Sequence, residues 1–247
     1  MLFLSGSGRN AIPPYTLGSP RVATHRLLSM PIRTSAIRSL GAHFNVFAIE
    51  SFMDELAAAS GADPLAFRLA RLEDERARAV LLAAADAAGW GQPPGAADTG
   101  LGLGSARYKN AGAYCAAAAQ VEAGESVRVR RLVLAVDVGR VVNRDGVRNQ
   151  IEGGAIQAAS WTLKEQVRFG RDGITSLGWD TYPVLRFSEI PQVDVIVIDR
   201  PDQPSVGAGE CTAGPVAGAI ANGLFAAIGV RVRTLPLTDQ NVVRAIG

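Results

Sequence analysis

A single carboxylate, Glu210, closes a glycine-rich segment that covers residues 204–210 (PSVGAGE). Glycine lets a backbone approach a ligand closely because it has no Cβ atom. The apolar run after this segment predicts a buried helix, so we expect burial to raise the pKa of Glu210 and to suit it to general-base work near neutral pH. The alternative is a glutamate at a helix start that is favoured only by the helix dipole.

Two further segments carry groups able to hold a ligand. Residues 38–42 (RSLGA) precede the first predicted helix, whose N-terminal amides would attract an anion, and Arg38 adds a cation. Gln150 lies on a glycine-rich helix, where its amide can both donate and accept hydrogen bonds. Both segments also have an ordinary structural explanation, as an arginine in a loop and as a glutamine on a tightly packed helix.

The composition limits the remaining chemistry. The chain has two histidines and two cysteines in 247 residues, without the spacings of zinc or iron–sulfur motifs, so no metal-ligating side chain is predicted. A formal charge of +2 gives no argument for a nucleic acid as partner. No apolar run reaches the roughly 18 residues of a membrane span. A nucleotide-binding module remains a weak alternative, because the glycine run at 100–104 follows no predicted strand.

The elements that must position these groups follow from hydrophobic periodicity and turn residues. We predict a loop-rich segment over 1–35 and one domain over 36–247, with a helical N-terminal third, a linker at 91–100 and an antiparallel or mixed sheet with packed helices. The predicted helices cover about 44–60, 64–72, 74–88, 144–164 and 213–228, and the predicted strands cover 111–122, 127–137 and 192–199. The apolar side chains in the first 40 residues have no clear element to bury them, so we expect them to lie against another polypeptide.

Five blocks of the sequence occur in an order that resembles a known family. They are RTSAIRSLGAHFNVFAIESFMDELA (33–57), DPLAFRLARL (63–72), VDVGRVVNRDGVRNQIEGGAIQ (136–157), YPVLRFSEIPQVDV (182–195) and VGAGECTAGPVAGAIANGLFAAIGVRVRTLPLT (206–238). This order resembles the C-terminal part of the molybdopterin-binding large subunit of the molybdenum hydroxylases, the xanthine dehydrogenase and aldehyde oxidase family. The branch it resembles most is that of the isoquinoline 1-oxidoreductase β-subunits.

The resemblance implies an α+β fold of the molybdopterin-binding type and the hydroxylation of an aldehyde or an N-heteroaromatic substrate with water as the oxygen source. It implies that Glu210 is the general base and that the molybdenum cofactor, in its cytosine dinucleotide form, is held by the pterin rather than by protein ligands to the metal. The cofactor-binding residues that it implies are Arg38, Ser39, Leu40, Gly41, Ala42, Gln150, Val206, Gly207, Ala208 and Gly209. Two [2Fe–2S] clusters on a small partner subunit are expected to carry the electrons away.

The chain departs from the family pattern at three points. Leu40 stands where many members have an aromatic residue, which argues against a purine-like substrate. Cys211 follows the glutamate where proline is common, and we expect it to pack as a small apolar residue. The family subunit is also much longer, so the chain requires a complementary N-terminal half or is an inactive remnant or partner-binding fragment. The expected compartment is the cytoplasm, or the periplasm if a partner carries the chain there.

Overall fold

The computed structural model describes residues 6–25, 27–92 and 95–247. The first five residues of the predicted segment 1–35, Arg26 within it, and residues 93–94 of the predicted linker lie outside this described part. The helices are α1 (Ala42–Ala59), α2 (Pro64–Leu69), α3 (Glu75–Ala88), α4 (Arg144–Leu163), α5 (Ala213–Ile228) and α6 (Asp239–Ile246). The strands are β1 (Thr99–Arg107), β2 (Tyr114–Ala123), β3 (Val127–Asp137), β4 (Phe169–Gly170), β5 (Gly173–Ile174) and β6 (Gln192–Ile198).

A mixed four-stranded sheet, in the order β1-β2-β3-β6, forms the centre of the fold. The first three strands are antiparallel neighbours, and β6 pairs parallel to β3 after the crossover through α4. The predicted hairpin at 111–137 is therefore confirmed, as is the predicted α+β class. Helix α3 packs on one face of the sheet and α5 on the other, so alternate β2 residues point into different cores: Ala116 and Ala118 towards α3, Ala117 and Ala119 towards α5.

Strand β1 is the principal element that the sequence pattern does not predict. Its glycines at 100, 102 and 104 share one face because strand side chains alternate with a period of two. Helix α5 lies directly on this face: a Cβ atom on Gly102 would lie 2.0 Å from the backbone N of Gly223 and 2.3 Å from the O of Ala219. The glycine run at 100–104, which the sequence pattern supports only as a weak nucleotide motif, is thus part of a strand that lets a helix approach closely, and the predicted linker at 91–100 overlaps this strand only at its last two residues.

Replacing Gly102 with alanine is expected to destabilise the fold by about 3 kcal/mol, because the nearest atoms are backbone and cannot move aside without shifting α5. Gly124→Ala is the matched control, since an added Cβ atom there meets no atom within 4 Å. Urea unfolding of both variants measures the difference. Equal midpoints for the two variants would show that α5 does not need this close approach.

Helix α5 is buried from Ala213 to Leu224. Its almost wholly apolar sequence predicts full burial over 213–228, which is confirmed as far as Leu224, whereas the last four residues of the helix are half-buried or exposed. Its start is also fixed against α1, because a Cβ atom on Gly214 would lie 2.6 Å from the Cβ of Val46. The residue that immediately precedes the helix-start turn, Glu210, is therefore attached to a rigid, buried element.

The first described residues pack against other parts of the same chain. Tyr15 is buried, and the backbone N–H of Gly41 donates to the O of Gly6. A Cβ atom on Gly41 would lie 2.2 Å from the O of Ser7, so this contact requires glycine. The described residues of 16–37, which exclude Arg26, differ because they form no helix or strand and leave most of their side chains exposed, with Leu28 91% exposed.

An ion-pair network joins α1 to α2 inside the protein. The guanidinium of Arg68, which is fully buried, donates to Glu50 Oε2 at 3.0 Å and to Asp54 Oδ1 at 3.1 Å. Tyr15 donates to Glu50 Oε1 at 2.6 Å, and Arg231 donates to Asp54 Oδ2 at 3.0 Å. Each carboxylate thus has an arginine partner, which offsets part of the cost of burying charged groups.

Candidate active site around Glu210

Glu210 lies between β6 and α5, with both carboxylate oxygens engaged by distant segments of the chain. Oε1 accepts a hydrogen bond of 2.8 Å from the backbone N–H of Ser39, and Oε2 accepts one of 2.7 Å from the hydroxyl of Tyr108. Ser39 belongs to the loop before α1, and Tyr108 follows β1 directly. The carboxylate is therefore the point at which three separate segments meet.

Arg38 connects the glycine loop to α4. Its Nε donates to the backbone O of Gly209 at 2.6 Å. Its two terminal nitrogens donate to the side-chain oxygens of Gln157 at 3.0 Å and Gln150 at 3.1 Å. The planar guanidinium suits this arrangement because its N–H bonds diverge in a fixed fork. The structure thus brings together Arg38, Gln150 and the loop that ends in Glu210, which sequence reasoning selected separately.

The remaining predicted site residues border this cluster in different ways. Val206 anchors the loop, because its N–H donates to the O of Val138 at 2.9 Å. Gly207 and Gly209 face open space, since an added Cβ atom would meet nothing within 4 Å, and Ala208 is half-buried between them.

The loop before α1 holds the other predicted site residues. The side chain of Leu40 is half-buried, and the turn of Gly41 and Ala42 leads into α1. The N–H groups of Gly41 and Ala42 donate to the O atoms of Gly6 and Ser39, and within this turn it is the N–H of Ser39 that donates to the carboxylate of Glu210.

The backbone around Glu210 is held in an unusual conformation. Ser39 and Leu40 have positive φ angles of 66° and 53°, and Lys109 and Asn110, beside Tyr108, have φ angles of 59° and 55°. Asn10, which donates to the O of Arg107, has a φ of 60°. Residues other than glycine and asparagine rarely adopt this left-handed backbone region, and backbone strain of this kind concentrates at functional sites.

The pKa of Glu210 is lowered, which corrects the sequence-based expectation that it is raised. Burial does act to raise this pKa, but the N–H of Ser39 and the hydroxyl of Tyr108 lower it, and so do the positive charges of Arg9 and Lys109. The combined effect of the donors and cations exceeds that of burial. Glu210 is consequently ionised at neutral pH, in the form that accepts a proton.

Three residues of this cluster are not predicted from the sequence: Tyr108, Arg9 and Gln157. A signal for Gln157 exists, because it lies seven residues after Gln150 and so falls on the same face of α4 two turns later. Tyr108 and Arg9 have no comparable signal. They are 102 and 201 positions from Glu210 along the chain, and Tyr108 follows the strand that the sequence pattern does not predict.

The cysteines and the buried histidine near this region are structural. Cys211 is buried in the core around α5, as predicted. Its thiol lies beside that of Cys115, and this contact together with burial raises the pKa of Cys115. The ring of His43 donates from Nδ1 to the O of Ala213 at 3.1 Å, and burial lowers its pKa to about 4. His43 therefore stays neutral and stabilises the junction of α1 and α5.

The polar groups of the cluster fit a pterin-type cofactor that carries its own metal ligands. The hydroxyl of Ser39 is buried and makes no hydrogen bond within the described residues. The side-chain amides of Gln150 and Gln157 accept from Arg38 through their oxygens, and each amide also carries N–H donors that a ligand could use. In the same described part of the chain, no group of three or more histidine, cysteine, aspartate or glutamate side chains has the arrangement to hold a metal ion.

Comparison with known proteins identifies the family. The model of the molybdopterin cofactor-binding domain matches residues 67–191. The chain is 40% identical to one of the subunits of nicotinate dehydrogenase from Pseudomonas putida, over 97% of this chain and 22% of that protein. It is 34% identical to the β-subunit of isoquinoline 1-oxidoreductase from Brevundimonas diminuta, over 81% of this chain and 26% of that protein.

The fold agrees with solved structures. The aldehyde oxidoreductase from Desulfovibrio desulfuricans superposes with a TM-score of 0.72 at 16% identity, over 85% of this chain and 41% of that chain. The chain spans about a quarter of the length of the curated relatives that it matches. The matching domain model, the two relatives and the shared fold agree with the resemblance in the sequence blocks, and the chain belongs to the molybdopterin cofactor-binding domain family of the molybdenum hydroxylases.

Proposed function

We propose that the chain forms part of the large subunit of a molybdenum hydroxylase, in which Glu210 is the general base beside the molybdopterin cofactor. The observation that carries this proposal is the convergence on one cluster of Arg38, Gln150 and Glu210, which lie far apart in sequence. Arg38 and the amides of Gln150 and Gln157 would hold the polar edge of the cofactor. The hydroxyl of Ser39 would supply a further donor.

The reaction places a specific demand on Glu210. Hydroxylation of a C–H bond with water as the oxygen source consumes one water and releases two protons and two electrons. When bound, the molybdopterin cofactor supplies the two-electron oxidation. Glu210 takes one of the two protons at a carboxylate oxygen, for which it must be ionised beforehand. Glu210 is ionised at neutral pH, and its lowered pKa makes it a weaker base than the raised pKa expected from the sequence would have made it.

The substrate class follows from the relatives, one of which is named for nicotinate and another for isoquinoline. We propose an N-heteroaromatic compound or an aldehyde. Leu40 follows Ser39, whose N–H donates to Glu210, and its aliphatic side chain offers no aromatic face for stacking a purine-like substrate.

The proposed complex contains a complementary part of the large subunit, the cytosine dinucleotide form of the cofactor and a small partner protein with [2Fe–2S] clusters. Exposed apolar side chains support a polypeptide partner: Leu27, Leu28, Trp179 and Phe187 are all more than two-thirds exposed. No helix in the described part of the chain has the length and apolar character to cross a membrane. We place the complex in the cytoplasm, or in the periplasm if a partner directs it there.

Co-purification with the neighbouring gene products tests the proposal. We expect the complex to contain molybdenum and pterin, measured by elemental analysis and by fluorescence of the oxidised pterin. A complete complex with neither would contradict the enzyme function and favour the alternative, a catalytically inactive remnant or partner-binding fragment.

Arg38→Ala is expected to lower the bound cofactor at a fixed cofactor concentration by about tenfold or more, since hydrogen bonds to a charged group contribute about 1.5–3 kcal/mol. It also frees the O of Gly209 and both glutamine oxygens. Arg33→Ala is the control, because Arg33 is an exposed arginine in the same segment. Equal pterin content in both variants would remove Arg38 from the cofactor site.

A further inference from the structure

Tyr108 joins Glu210 to a cation from the first residues of the chain. Its hydroxyl donates to Glu210 Oε2 at 2.7 Å and accepts from Arg9 Nη1, also at 2.7 Å. The guanidinium carbon of Arg9 lies 5.5 Å from the centre of the tyrosine ring, and Lys109 Nζ lies 5.3 Å from it. Because the phenol is both a donor to the carboxylate and an acceptor from Arg9, its hydroxyl proton is directed at Glu210.

The turn that carries Tyr108 gives its ring little freedom. The N–H of Tyr108 donates to the O of Ala113 at 2.8 Å, and its O accepts from the N–H of Gly112 at 2.7 Å. The next residue, Lys109, has a left-handed backbone conformation, and its backbone N–H donates to Asn10 Oδ1 at 2.9 Å. The side chain of Tyr108 is 7% exposed. The bond from Tyr108 to Glu210 is partly buried, and a hydrogen bond shielded from water is stronger than the same bond in water.

We propose that Tyr108, oriented by Arg9, is a positioning residue that holds the carboxylate of Glu210 in place for proton acceptance and extends its ionised form to lower pH. The inference rests on the proposed role of Glu210 as the base. It also gives the first described residues a function, because Arg9 reaches the site only while residues 6–10 remain packed on the loop before α1.

The direction of the effect follows from the groups that face Glu210. They are the N–H of Ser39, the hydroxyl of Tyr108 and the charges of Arg9 and Lys109, and all four favour the carboxylate form. The phenol itself remains protonated, since burial and its bond to Glu210 raise the pKa of Tyr108 to about 12. Removing the hydroxyl takes one donor from the carboxylate, so the pKa of Glu210 rises.

Tyr108→Phe tests the inference with two measurements. In the full chain labelled with ¹³C at the glutamate carboxyl carbons, the titration midpoint of Glu210, assigned by its absence from Glu210→Gln, is expected to move to higher pH. In the loaded complex, the acidic limb of the kcat profile is expected to move in the same direction, with the pterin content unchanged. A structural role alone would lower activity across the profile without moving this limb.

The control is Tyr182→Phe, because Tyr182 donates to the carboxylate of Glu165 at 2.9 Å beyond the C-terminal end of α4. It removes the same chemical group from another tyrosine–glutamate pair and should leave both readouts unchanged. If Tyr108→Phe does not fold, Arg9→Gln replaces it and is expected to raise the same midpoint. An unmoved midpoint, or a moved midpoint with an unmoved acidic limb, overturns the inference. Full turnover by Glu210→Gln instead overturns the proposed function and leaves the midpoint result intact.

Discussion

Glu210→Gln is expected to keep the molybdopterin cofactor bound and to lower turnover of the loaded complex by about 10²- to 10⁴-fold, the range typical of a lost general base. Glutamine has the same shape, and its side-chain oxygen still accepts from the N–H of Ser39. It carries no charge to accept a proton. The measurement is kcat under saturating substrate, normalised to the molybdenum content of each preparation.

The matched control for this variant is Glu165→Gln, which neutralises another glutamate that accepts a tyrosine hydroxyl. Its turnover should equal that of the unmodified complex. Turnover by Glu210→Gln within a few-fold of the control would remove Glu210 from the mechanism. Loss of cofactor from Glu210→Gln alone would instead assign the carboxylate a structural role in shaping the loop.

Arg68→Met is expected to lower the free energy of unfolding by about 3–5 kcal/mol, the cost typical of removing one partner of a buried ion pair. The variant leaves Glu50 without its cation, while Asp54 keeps only Arg231. Burial already acts to raise the pKa of Glu50, and Arg68 acts against it. Urea unfolding at pH 7 measures the loss.

The pH dependence of Arg68→Met provides an internal check. Without Arg68, the pKa of Glu50 in the folded state rises further above its unfolded value, so protonation stabilises the folded variant as the pH falls through that pKa. The stability difference from the unmodified chain should therefore shrink towards acid. Arg71→Met is the control, because Arg71 lies over the ring of Phe67 near the surface. An equal loss of unfolding free energy in both variants would show that the buried ion pairs of Arg68 contribute no more to stability than the contacts of Arg71.

Much of the architecture could be predicted because its causes are local. The helix of residues 64–69 begins at Pro64 after Asp63, whose side chain accepts from the N–H of Ala66, as the Asp-Pro pair predicts. The hairpin of β2 and β3 follows from its turn, and the burial of α5 follows from its apolar composition. Strand β1 could not be predicted in this way, since its glycines are explained only by the helix that packs on them.

The site shows the same division. Local sequence patterns selected Glu210, Arg38 and Gln150 as separate candidates, and the order of the sequence blocks indicated the family and the roles of base and cofactor-binding residues that it implies. Only the tertiary structure decided that Arg38 binds both the glycine loop and α4, that Tyr108 and Arg9 complete the cluster, and that the pKa of Glu210 falls. The physical reason is that burial can be inferred from neighbouring residues, whereas the donors that outweigh it come from positions more than a hundred residues away.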